Sequence, residues 1–139
     1  MSDLPVLPEP EDRLDLDLAT TALLARDQDQ PALLTMLAEQ LATNLGDAVT
    51  IRREGGLFKK SDKVKSVEVA LANDTFAAAI DKGRVTCSIG HSSGGIRIRS
   101  EQCDLDAWIK RLLATLKQEA ARSQKVRMAL ENLVYGGMT

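Results

Sequence analysis

The sequence predicts an α+β domain: an N-terminal helix, a five-stranded antiparallel β-meander and a long C-terminal helix, the helices packed on one sheet face. Three features predict it. From Val64 to Ser100 apolar residues alternate with small or polar ones, interrupted only by tight turns. Ahead of that stretch Leu33, Leu34, Leu37, Leu41 and Leu45 recur at helical spacing, and after it Leu105, Trp108, Ile109, Leu112, Leu113 and Leu116 do so. A block of strands between helical runs indicates an α+β plan rather than a parallel sheet. The 139 residues suffice for one domain with one core.

Residues 1–28 are expected to be an acidic, Pro- and Leu-rich tail, either extended or docking, and residues 29–139 the folded α+β domain. Pro5, Pro8 and Pro10 lie among acidic residues. Leu14-Asp15-Leu16-Asp17-Leu18 alternates strictly and fits either an edge strand or a helix start. Asp29-Gln30-Pro31 opens the first helix, with Pro31 where its missing N–H does no harm, and Gly46 closes it. Ala48–Arg53 reads as the first strand, Val49 and Ile51 inward.

The loop from Glu54 to Lys63 follows. From Arg52 to Lys65 six basic and two acidic residues surround Leu57 and Phe58. Arg52, Arg53, Leu57, Phe58, Lys59, Lys60 and Lys63 therefore form a candidate contact surface for an acidic protein, a phosphate backbone or an anionic membrane.

Three tight turns then set the meander. Asn73-Asp74 would pair Leu71 with Phe76, Lys82-Gly83 would pair Ala78 with Cys87, and Ser92-Ser93 would pair Ile89 with Ile96. All three registers put the large apolar residues on one face. The other face carries Ala70, Ala77, Ala79 and Ser88, with Arg97 and Arg99 toward its end. A solvated sheet face ordinarily carries long polar side chains, so these small residues suggest close approach by a partner.

Asp104 should cap the last helix. Run unbroken from Leu105 to about Val134, it would be about 45 Å long, against about 17 Å for a five-residue strand. Its second half, with Val126, Leu130 and Leu133, should overhang the sheet, break into a separate helix or meet another chain. Gly136-Gly137 ends it.

Composition narrows the chemistry. Aromatic residues make up 3% of the chain, too few for base stacking, sugar platforms or aromatic cages. Cys87, His91 and Cys103 lack the paired spacing of a zinc site, and no Walker, dinucleotide or hydrolase pattern occurs. No cofactor, catalytic residue or small-molecule substrate is expected. Two cysteines and no secretory leader suggest a cytoplasmic protein. Charge is uneven: residues 1–47 hold two basic and ten acidic residues, a net −8, and the remainder is net +6.

These features lead to the expectation of a non-enzymatic protein–protein interaction module, an adaptor, chaperone-like protein or assembly subunit, acting as a homo-oligomer or in a complex. Partners would use the small-residue sheet face and the distal helix. The alternative is an anion-binding module for nucleic acid or a membrane surface, acting through residues 52–65. The general plan resembles that of small dimeric adaptor and secretion-chaperone domains, an analogy of fold alone.

Overall fold

The computed structural model describes residues 15–55 and 63–135. Two helices, α1 (Leu16–Arg26) and α2 (Gln30–Leu45), precede a single 3-10 turn at Gly46–Ala48. The strands β1 (Val49–Arg53), β2 (Val64–Leu71), β3 (Asp74–Asp81), β4 (Arg84–Ser93) and β5 (Ile96–Cys103) follow, then α3 (Leu105–Ala120) and α4 (Gln124–Tyr135). The five strands lie in sequence order in one antiparallel sheet. The fold is α+β, as the sequence indicates.

The alternating leucine–aspartate stretch is helical. Asp15 takes the N-cap position and accepts from the Leu18 N–H at 3.1 Å, satisfying an orphan donor of the first turn. Ala19 and Leu23, four residues apart, are buried, and α1 packs on α3. The segment 1–28, expected as a tail, thus contributes a helix to the core. Its first 14 residues lie outside the described residues.

α2 begins at the Asp29 cap with Pro31 in its first turn and ends at Gly46, whose φ of +54° a side chain would strain. Its leucine stripe faces the sheet. Opposite, Trp108 of α3 is fully buried, meets Phe76 edge-to-face with centroids 6.2 Å apart, and donates from Nε1 to the Ser88 carbonyl at 3.2 Å. A buried indole N–H left unpaired would cost free energy, so this bond also fixes where α3 crosses the sheet.

The long C-terminal helix is broken. Arg122 N and Ser123 N both bond to Glu119 O, and Ser123 Oγ accepts from Val126 N at 3.3 Å to start α4. The chain turns there because Ser123 offers a side-chain cap where the apolar stripe of α3 ends. α4 then folds back on α2 and α3, with Ala129, Leu130 and Leu133 buried. Of the three possibilities, separation into a second helix is the one realised, and the described part of that helix does not overhang.

Two of the three turns differ from expectation. Lys82-Gly83 sits as read, both at positive φ, with Ala78 opposite Cys87 and Phe76 opposite Ile89. Between β2 and β3 the loop is Ala72-Asn73, so Val69 faces Phe76 and the register moves by two residues. A two-residue shift preserves the faces. Between β4 and β5 the loop is Gly94-Gly95, with φ of +60° and +83°, and Cys87 faces Cys103. That move is of four residues and by itself preserves the faces; the register shift between His91 and Ser92 is what reverses them from Arg99 onward. Ile96 and Ile98, expected in the core, are 71% and 65% exposed.

Candidate partner-binding surface

The described helices leave one side of the sheet bare. The burial of β2, β3 and β4 alternates, with Val67, Val69, Leu71, Phe76, Ala78, Cys87 and Ile89 buried beneath helices. The intervening side chains point away from every described helix. Ala77 is central to them, opposite Glu68 on β2 and Ser88 on β4. Ala70 is exposed, and Ala77, Ala79 and Ser88 are half-buried by their own neighbours.

This bare face is concave. A depression of about 330 Å³ is floored by Ala77 and Ala79 and rimmed by Thr50, Arg52, Glu68, Thr86 and Gln102. Short side chains in mid-sheet and longer ones at its margins produce the hollow. At the far end Arg97 lies across Gly90. A Cβ on that glycine would meet the guanidinium Nε at 3.2 Å, so the absent side chain seats the arginine.

The other proposed contact residues separate into groups. Arg52 faces the hollow. Arg53 turns toward α2 and meets Glu39 at 3.3 Å. Lys63 is exposed, whereas Leu57, Phe58, Lys59 and Lys60 lie outside the described residues. Leu130 and Leu133 are 1% exposed, packed within the chain's own core, and Val126 is half-buried against it. They are structural, since α4 folds back instead of projecting.

Arg99 also departs from expectation. A register shift beside His91 leaves Arg97 opposite Ser92 but sets Arg99 opposite His91, on the helix side of the sheet. There Arg99 Nη2 lies 2.9 Å from Glu101 Oε1.

Burial pushes the Cys87 thiol up to about 12, with smaller contributions from Cys103 and Asp104. Cys103 is raised by burial first, then by Asp104 and Glu101. A thiol so shifted is a poor source of thiolate at neutral pH. His91 Nδ1 lies 2.7 Å from Asp74 Oδ1, joining the two cross-strand partners at the end of β3 and β4. Among the described residues no group of three or more His, Cys, Asp or Glu side chains is placed to hold a metal ion. No described helix is long and apolar enough to cross a membrane.

Two features escape the sequence reading: the His91–Asp74 pair and the exposure of β5 among the described residues. A signal for the second is present. Gly94-Gly95 is the better two-residue hairpin loop, and choosing it over Ser92-Ser93 sets Ile96 opposite Ser93 at the end of the sheet instead of opposite Ile89.

Comparison with known proteins returns no match: no family model, curated protein or solved structure is significantly similar to this chain.

Proposed function

We propose that the protein is a non-enzymatic protein–protein interaction module, an assembly subunit or chaperone-like adaptor, which receives a partner on the alanine-floored face of its sheet. One observation carries this reading. The four described helices pack the opposite face, and none of them covers Ala70, Ala77 and Ala79. Alanine leaves strand backbone thinly shielded, and a helix or second sheet can approach it closely without displacing long side chains. The rim of Arg52, Glu68 and Gln102 would supply orientation by hydrogen bonding, while the floor supplies contact area.

The test is partner capture from the native cell extract, with light scattering on the recovered complex. Ala77→Glu places a charge on the floor and should abolish capture, while far-UV circular dichroism and melting temperature stay at wild-type values. Capture unaffected by both Ala77→Glu and Ala79→Glu would remove the sheet face from the function. The anion-binding alternative predicts a different dependence: Lys63→Glu with Lys65→Glu would weaken binding to polyanions or anionic vesicles, steeply with added salt.

A further inference from the structure

We propose that two copies of the chain pair antiparallel through the free edges of β5, about a two-fold axis at Ser100, with Arg99 of each copy opposite Glu101 of the other. This deepens the assembly reading by naming one partner, a second copy, and by placing it on a surface separate from the alanine face.

β5 is the last strand of the sheet, and among the described residues it pairs with β4 alone. All its residues from Ile96 to Gln102 are exposed. A long edge strand carrying exposed isoleucines offers a row of backbone donors and acceptors for another strand.

The backbone restricts how a second copy can pair. Ser92 N donates to Asn73 O across the β3–β4 ladder, so the even residues of β4 aim their N–H and C=O at β3 and the odd ones at β5. Opposite them, Arg99, Glu101 and Cys103 use their backbone groups toward β4. Ser100 and Gln102 are left with theirs aimed at the free edge. An antiparallel partner must therefore set even residues against even ones.

Charge then selects among the registers that remain. An axis at Ser100 sets Arg99 opposite Glu101 twice, in the pair positions where side chains lie closest. Moving the axis to Arg99 sets Arg99 against its own copy, and moving it to Glu101 sets Glu101 against its own copy. Both of these neighbouring registers bring like charges together. The opposite charges flanking Ser100 are self-complementary, as a two-fold interface requires. Charges on edge strands ordinarily block pairing; here their symmetry directs it. Pairing also sets Ile98 beside Gln102 of the second copy, removing part of an exposed isoleucine from water.

The test is sedimentation or light scattering of the full chain over a range of concentrations. Wild type should dimerise. Arg99→Glu and Glu101→Arg should each weaken the dimer about tenfold or more, since each turns two attractive pairs repulsive. An equimolar mixture of the two variants should recover dimer, because both carboxylates of the first variant then face guanidinium groups of the second. Neither variant regains its own intrachain pair on mixing, so a loss of fold cannot imitate this result. Circular dichroism checks each variant alone. A wild-type monomer, a dimer indifferent to both substitutions, or a mixture that fails to recover would overturn the proposal. A dimer lost only on Ala77→Glu would also overturn it, while leaving the sheet-face reading intact. A monomer whose Ser100 and Gln102 amides resist hydrogen exchange would assign the edge to a different strand and overturn it too.

Discussion

Among single residues, the two cysteines show how position sets chemistry. They face each other across β4 and β5, yet only Cys87 is buried. With its pKa raised from 9.0 to about 12, Cys87 keeps its proton in the native chain at pH values where the unfolded chain has released it. Stability is therefore undiminished by this group below pH 9 and falls as pH rises toward 12. Urea titrations at about pH 8 and about pH 10 should show Cys87→Ala losing less stability between them than wild type. An equal loss would mean the thiol does not titrate late. With a thiol reagent at about pH 8, the native protein should react more slowly at buried Cys87 than at half-buried Cys103, and both should react faster on unfolding. The buried inert thiol is legible in the sequence, because Cys87 alternates with Val85 and Ile89. The His91–Asp74 contact is not, because strand parity places a residue on a face without saying which side chain its neighbour on the next strand will be.

Elements are legible where the local signal is unambiguous. Asp29 with Pro31, Asp104 with its apolar stripe, and Lys82-Gly83 each have one sensible interpretation, and each is realised. The turn after Leu71 is misread because Ala72 adopts a φ of +54°, which alanine seldom does, while the neighbouring Asn-Asp looks more suitable. The turn before Ile96 is misread because Ser92-Ser93 and Gly94-Gly95 both set Ile96 on the apolar face, so the face pattern does not distinguish the two loops. The break between α3 and α4 rests on Ser123 and on the buried underside of α4. Leu133→Ala should therefore destabilise the fold by roughly 2–5 kcal/mol, as core truncations do, and Ser123→Ala by about 1 kcal/mol. Urea denaturation measures both. A Leu133→Ala variant as stable as wild type would return that helix face to the surface, as the sequence alone suggests.

Across the whole molecule, the uneven charge turns out to be partly an internal matter. Asp17 of α1 pairs with Lys110 of α3, and Glu39 of α2 pairs with Arg53 of β1, so acidic N-terminal helices meet later basic elements. Both pairs are solvent-exposed, and such pairs contribute about 0–1 kcal/mol each. What holds α1 in place is the burial of Ala19 and Leu23, aided by Arg26 Nη2 donating to the Val134 carbonyl at 3.2 Å near the end of α4. α1 thus ties the first helical pair to the last, and none of the four described helices covers the alanine face. Removing residues 1–28 should therefore damage the fold rather than merely release a peptide. Loss of the Leu23 side chain alone corresponds to roughly 2–5 kcal/mol, and the truncated chain should show at least that drop by urea titration. High salt should move the wild-type midpoint far less, since it screens the exposed pairs and leaves the apolar contact untouched. A truncated chain of unchanged stability would make α1 an accessory and return residues 1–28 to the role of a detachable docking segment.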